Sequence, residues 1–373
     1  MQLSVIILNY NVRYHLELCI LSVLRATQHI SAEIIVVDNA SSDKSLEMLA
    51  ARFPKLKVIA NADNLGFSKA NNIGVDAARG EYVCILNPDT VLPENCFEHL
   101  LEFAETKKDL GAVGVRLVDG TGNYLPESKR NLPTPKVALA KLLQQSKAYY
   151  ANDFCDKSSG KVQVLVGAFM LLKREVYKDQ GGFDEDYFMY GEDIDLSYRL
   201  LRAGHQNYYC GDVTVIHFKG ESTFRDKVYA SRFYEAMRIF YSKHYGNSDV
   251  EARLVALALQ AAKGVTVLAQ PRKIKKSLKE PAYLISKNPE LTKQVSDSLA
   301  VETHYCDTVT KTFSEKAKGV FILDGDTFSF KEIIEAIQRL NNGKNKFRIR
   351  PPDCNFILGS DSSTRQGEIL FLS

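Results

Sequence analysis

The sequence predicts an α/β fold with three parts: a mostly parallel sheet flanked by helices over residues 1–246, a helical and basic connecting region over 247–318, and a small C-terminal α/β unit over 319–373. Three observations carry this. Leu3 to Leu8 is an unbroken, largely β-branched apolar run, as a strand buried on both faces requires. Runs of this kind alternate with helical periodicity, which means right-handed βαβ crossovers. The texture then resets at Gly319, where a second strand and helix begin.

After the first strand, Leu16, Cys19, Ile20, Val23 and Leu24 fall at helical spacing and make one apolar stripe. A strand is expected at Glu33 to Val37, a helix near Ser45 to Arg52 behind a Ser/Asp cluster, a strand at Lys57 to Ala60 and a helix from Ser68 to Ala78. Tyr82 to Leu86 supplies the next buried strand, which ends in Asn87-Pro88-Asp89. From Leu117 to Gly160 the pattern loosens around Pro126, Pro133 and Pro135, as functional or mobile segments do. Order returns with the apolar run Val162 to Leu172, followed by a helix Ile194 to Ala203 closed by Gly204. A strand near Thr214 to His217 and a helix Phe233 to His244 complete the first domain. Glu251 to Gln270 reads as helix, and Pro271 with the basic run Arg272 to Lys279 as a linker or surface patch. Beyond Gly319 come a strand, a helix carrying Ile333, Ile334, Ile337 and Leu340, a strand near Phe347 and a last strand Ile369 to Leu372.

Lys and Arg number 48 against 45 acids, a formal charge of +3. That balance is too even for a protein that neutralises a nucleic-acid backbone along its length, so no nucleic-acid partner is expected. The composition, 45% hydrophobic and 25% charged, excludes wholesale disorder, collagen and coiled coil. The cysteines are scattered without zinc spacing and read as reduced thiols of a cytoplasmic protein. The N-terminus lacks a basic region and a cleavage site, and Leu254 to Gln270 is broken by Gln260, Lys263 and Thr266. Neither secretion nor a membrane span is expected.

In an open parallel sheet, ligands sit beyond the carboxyl ends of the strands. Here those ends are unusually polar: Asn9-Tyr10-Asn11, Asp38 to Asp43, Asn61 to Gly66, and Asn87-Pro88-Asp89. One such loop is as readily a turn or a cap as a site, but four on one sheet edge favour a site. No G-x-G-x-x-G follows the first strand, and no P-loop, nucleophile elbow or kinase motif set is present, so those classes drop out.

Six ordered blocks carry a resemblance. Leu3 to Asn11, Val36 to Asp43 (VVDNASSD), Asn64 to Gly74 (NLGFSKANNIG), Leu86 to Asp89 (LNPD), Gly167 to Glu175 (GAFMLLKRE) and Phe188 to Gly204 (FMYGEDIDLSYRLLRAG) resemble the family 2 glycosyltransferases of GT-A fold. Within them the chain is most similar to the bacterial rhamnosyltransferase-like branch that builds surface polysaccharides. The resemblance covers residues 1 to 246. It implies a GT-A nucleotide-diphospho-sugar transferase fold and an inverting transfer that needs Mg2+ or Mn2+.

The same resemblance assigns roles. Asp89 and His217 would hold the metal, with Asn87 standing where an Asp-x-Asp motif has its first acid. Tyr10 would stack on the base and Asp38 would read it. Asn39, Asp43, Asn64, Gly66, Asn71 and Asn87 would make the rest of the donor site. Asp193 would be the base that takes the acceptor proton, with Glu192 orienting it or touching the acceptor. A helix cap is the alternative for Asp38, Asp43 and Asp193. Lys219, Ser222, Arg225 and Arg130 can meet phosphate or simply be solvated, and Asp324-Gly325-Asp326 reads as a turn.

The function implied is transfer of a sugar, rhamnose from dTDP-rhamnose being the specific case, from a dTDP- or UDP-sugar to a lipid-linked or oligosaccharide acceptor. The rival is a nucleotide- or glycan-binding protein that keeps the fold without turnover. Lys263 and Arg272 to Lys279 suggest peripheral contact with the inner face of the plasma membrane. The spatial expectation is that Asp38, Asp89 and Asp193 converge on one cleft.

Overall fold

The computed structural model describes residues 1–137, 149–221, 227–246, 280–308 and 318–372. Strands β1 (Leu3–Asn9), β2 (Ala32–Asp38), β3 (Lys57–Ala60) and β4 (Tyr82–Leu86) form a parallel half-sheet in the order β3-β2-β1-β4. Every β1 residue is buried. Register matters for function: Asn9 lies beside Asp38, and Ile7 beside Leu86, so the carboxyl ends of three strands open on one edge.

Helices α1 (Arg13–Ala26), α2 (Ser45–Arg52) and α3 (Phe67–Asp76) make the crossovers. The α1 stripe buries Leu16, Cys19, Ile20 and Val23, whereas Leu24 is 40% exposed. Eight residues of helix rotate Leu24 about 80° from Leu16, to the margin of the stripe. α3 lies directly on β1 because position 74 has no side chain: a Cβ at Gly74 would come within 2.4 Å of Ile6 Cγ2.

The sheet continues through β5 (Thr90–Val91), helix α4 (Cys96–Glu105), β6 (Leu110–Val118), β7 (Gly160–Val162), β8 (Phe169–Lys173), helix α5 (Arg174–Asp179), helix α6 (Glu192–Arg202), β9 (Gln206–His217) and helix α7 (Lys227–His244). β8 inserts antiparallel between β4 and β6, giving the order β3-β2-β1-β4-β8-β6-β9-β5 with β7 paired to β9. β9 is three times as long as the expected Thr214 to His217. A register shift against β6 between Val115 and Arg116 lets it pass Gly211-Asp212, which mask its periodicity.

A second sheet contains β10 (Ala282–Ile285), helix α8 (Leu291–Leu299), β11 (Thr303–Cys306), β12 (Val320–Asp324), helix α9 (Phe330–Leu340), β13 (Lys346–Arg350), β14 (Phe356–Gly359) and β15 (Glu368–Phe371), in the strand order β11-β10-β12-β13-β14-β15. Its first two strands come from the stretch expected to connect the domains. Four-residue strands carry too little periodicity to stand out from a linker. Asp324 closes a turn as expected, accepting from Ser286 Oγ, Thr327 Oγ1 and Arg350 Nη1.

The two sheets share a core. Leu18, Val91, Val118, Ile216 and Phe218 pack with Phe321, Phe330, Ile333, Ile337 and Phe347. At its rim, Glu94 accepts from Phe330 N and Lys331 N at 2.7 and 2.9 Å, placing a carboxylate at the positive end of α9. Arg25 Nη2 donates to the Gly325 carbonyl at 3.0 Å. Lys263 and Arg272 to Lys279 lie outside the described residues. Among the described residues no helix is long and apolar enough to cross a membrane.

Candidate active site

A cavity of about 450 Å³ opens at the carboxyl edge of the large sheet. Tyr10, Asn39, Asn64, Gly66, Asn87, Asp89, Glu192, Asp193 and His217 line it. Asp38, Asp43 and Asn71 do not, so the three-acid convergence holds for Asp89 and Asp193 while Asp38 lies one layer behind.

Asn39 organises one end. Its Nδ2 donates to Asn64 Oδ1 and to the Gly66 carbonyl, each at 3.0 Å, and its Oδ1 accepts from Asn61 Nδ2 at 3.0 Å and Leu65 N at 3.2 Å. Gly66 has φ +82°, and a Cβ there would come within 2.5 Å of the Phe188 carbonyl oxygen, so the loop is built for glycine. Asp38, fully buried, accepts from Asn9 Nδ2 at 2.7 Å and Ser41 N at 2.9 Å, and so shapes the loop that carries Asn39. Asp43 accepts from Arg13 N and Ser45 N, fastening two helix starts. Asn71 turns its amide back to the Phe67 carbonyl at 2.9 Å.

The opposite wall is set by pairing of β5 with β9. Thr90 lies opposite His217, which brings His217 Nε2 to 3.4 Å from Asp89 Oδ1. Burial opposes the charge on Asp89, but His217 and, further off, His15 outweigh it and hold the carboxyl below its usual range. His15 itself is lowered to about 4 by burial, with Asp89 pulling the other way. Asn87 Nδ2 lies 3.4 Å from His217 Nε2, and His217 Nδ1 is buried without a hydrogen-bond partner among the described residues. One carboxylate, one imidazole and a neighbouring amide suit a divalent cation whose remaining positions go to water and substrate phosphate. Among the described residues the cluster of three His, Cys, Asp or Glu side chains close enough to share an ion is His99, Cys210 and Asp212, outside this cavity.

Helix α6 starts at Glu192, two residues before the expected boundary, because Gly191 at φ 86° makes the bend. Its three acids therefore occupy one helical turn and meet three different environments. Asp193 Oδ2 accepts from Arg130 Nη2 at 2.7 Å and Gly167 N at 3.0 Å, and its Oδ1 from Ile194 N at 2.7 Å. Asp195 turns away from the cavity to Arg199 and His244. Glu192, 6% exposed, keeps Oε2 without a hydrogen-bond partner among the described residues. Burial first, and then Asp193 beside it, push its carboxyl well above the usual range. Two adjacent acids in unlike environments are the kind of arrangement that divides proton acceptor from proton donor.

Sequence reasoning left Arg130 open; it is a buried partner of Asp193. Lys219 lines the cavity but is paired with Glu127, while Ser222 and Arg225 lie outside the described residues. Gly167, Glu127, Tyr149, Tyr150 and Ser363 also line the cavity and were missed. Gly167 stood inside a recognised block, whereas Ser363 comes from the second unit and has no local signal.

The sequence profile of glycosyl transferase family 2 matches residues 4–181. An N-acetylglucosaminyl-diphospho-decaprenol L-rhamnosyltransferase of Mycobacterium tuberculosis is 29% identical over 242 residues, covering 60% of this chain and 78% of that protein. The poly-beta-1,6-N-acetyl-D-glucosamine synthase of Staphylococcus epidermidis is 30% identical over 187 residues, 48% of this chain and 41% of that one. Among solved structures, the mannosyltransferase PcManGT from Pyrobaculum calidifontis, in complex with GDP-Man and Mn2+, is similar at TM-score 0.46 and 18% identity over 70% or so of each chain (71% and 72%). Residues 4–181, which supply most strands of the large sheet, are thus similar to the family 2 glycosyltransferases.

Proposed function

We propose that the chain is an inverting, metal-dependent glycosyltransferase that moves rhamnose from dTDP-rhamnose to a lipid-linked or oligosaccharide acceptor in surface polysaccharide synthesis. The observation that carries the reading is that the Asp89–His217 pair and the Glu192–Asp193 pair face one cavity. The likeness to a rhamnosyltransferase with a lipid-linked acceptor supports the choice of sugar and acceptor.

In this reading Tyr10, Asn39, Asn64 and Gly66 take the nucleoside, with Asp38, Asp43 and Asn71 holding their loops in shape. Mg2+ or Mn2+, held by Asp89 and His217, would supply positive charge to offset what builds on the departing diphosphate. Asp193, aimed by Arg130 and Gly167 N, accepts the proton of the attacking hydroxyl. Glu192, whose buried carboxyl is pushed well above the usual range, hydrogen-bonds the acceptor sugar and fixes which hydroxyl attacks. The reaction belongs at the cytoplasmic face of the membrane, where lipid carriers lie, with Lys263 and the run Arg272 to Lys279 against anionic lipid.

The test is turnover with dTDP- and UDP-sugars in the presence of Mn2+ or Mg2+, using a polyprenyl-diphosphate sugar as acceptor. Donor consumption that Asp193→Asn abolishes is expected. Tight nucleotide binding with no sugar release across the panel would instead favour a binding protein.

A further inference from the structure

The loop 360–367, between β14 and β15 of the C-terminal unit, reaches the cavity of the transferase domain. Ser363 is part of its wall, and a Cβ at Gly220 would lie 3.9 Å from the Ser363 carbonyl oxygen. The loop is tied to the segment that follows His217. Gly367 N donates to both Glu221 carboxylate oxygens at 2.7 and 2.9 Å, and Gln366 Nε2 donates to the Glu221 carbonyl at 2.9 Å. The fit leaves no slack: a Cβ at Gly367 would come within 2.9 Å of Glu221 Oε1, and one at Gly120 within 2.7 Å of the Ser360 carbonyl oxygen.

From beneath, the loop is held by Arg348, whose side chain has no solvent exposure. Its Nη1 donates to Asp361 at 2.7 Å and its Nη2 to Glu368 at 2.9 Å, one acid at each end of the loop. Enclosing a guanidinium with two carboxylates gains little stability over apolar packing of the same volume, so such a triad is best accounted for by the geometry it enforces. What it enforces here is the height and tilt of residues 361–368 against Gly220 and Glu221.

Among the described residues, the Lys and Arg side chains that line the cavity are both paired. Lys219 is engaged by Glu127, and Arg130 by Asp193. A diphosphate arriving between His217 and Gly220 is then well served by neutral donors beside whatever cation it carries.

We propose that the C-terminal unit is part of the substrate site: its loop 360–367 closes the cavity beside His217, and the Ser363 hydroxyl donates to a phosphate oxygen of the nucleotide. This gives a role to the unit that lies beyond the matched residues 4–181, and it rests on the glycosyltransferase reading above. It also accounts for the shared core, since a loop in a substrate site must be carried by a body that does not move against the sheet.

The experiment is calorimetry of the full chain with UDP, dTDP and GDP in the presence of Mn2+, alongside thermal melting. Ser363→Tyr places a ring where the phosphate would lie and is expected to weaken the nucleotide that binds the wild type by about tenfold or more, with the melting temperature unchanged. Thr364→Tyr, next to it on the exposed side of the loop, is the control and is expected to bind as the wild type does. Unchanged affinity in Ser363→Tyr, or equal losses in both variants, overturns the proposal and leaves the glycosyltransferase reading standing. A wild-type chain that binds none of the three nucleotides overturns both.

Discussion

Arg130 Nη2 donates to Asp193 Oδ2 at 2.7 Å, and each side chain is only 9% exposed. The residue that aims the acid thus comes from the irregular Pro-rich segment and not from the helix that carries the acid. Removing one partner of a buried pair strands the other charge, which costs about 3–5 kcal/mol. Arg130→Met is therefore expected to melt far below the wild type, and Arg130→Met with Asp193→Asn to recover part of the loss without recovering turnover. Equal melting of the single and double variants would show that the two are not coupled.

Glu192 gives a pH signature. Its folded pKa lies above its ordinary value because burial and Asp193 disfavour the charge. Between the unfolded and folded pKa values the native state holds the extra proton, so stability falls as pH rises through that window and is fully retained below it. Glu192→Gln removes this dependence. The variant is expected to gain melting temperature over the wild type at neutral and alkaline pH, to match it more closely in acid, and to turn over acceptor poorly. A gain that is the same at every pH would contradict the assignment.

Asp89 and His217 are tested by the metal. Asp89→Asn is expected to reduce nucleoside-diphosphate affinity in Mn2+ by about tenfold or more and to make binding indifferent to chelation. Wild-type binding that survives EDTA unchanged would argue against a cation between Asp89 and the diphosphate.

Gly66 tests the donor loop. Forcing a side chain into its left-handed backbone against the Phe188 carbonyl costs about 1–3 kcal/mol. Gly66→Ala is expected to lower the melting temperature and to weaken nucleotide binding, because Asn39 is bonded to the Gly66 carbonyl. Normal affinity in this variant would remove the loop from the binding site.

Much of this was legible in the sequence because strand ends announce themselves. The buried runs Leu3 to Leu8 and Tyr82 to Leu86 fix where β1 and β4 stop, and the polar residues after them line the cavity at Tyr10, Asn87 and Asp89. The block around Asp193 was visible too, and His217 stood out at the end of an expected strand. Depth was not legible: Asp38 and Asn39 are adjacent in sequence, yet only Asn39 reaches the cavity, because side chains alternate about the strand and the turn begins between them. Arg130 and Ser363 were hidden for another reason. Each reaches the site through a long-range approach, over 63 residues from Arg130 to Asp193, and no local pattern encodes such a meeting.

The common core of the two sheets has a consequence for how the molecule comes apart. Phe218 and Ile216 on one side and Phe321 and Phe347 on the other cannot be separated without wetting both surfaces. Heat or urea should therefore dismantle the chain in a single cooperative step, and a fragment cut near residue 246 would present a greasy scar prone to clumping.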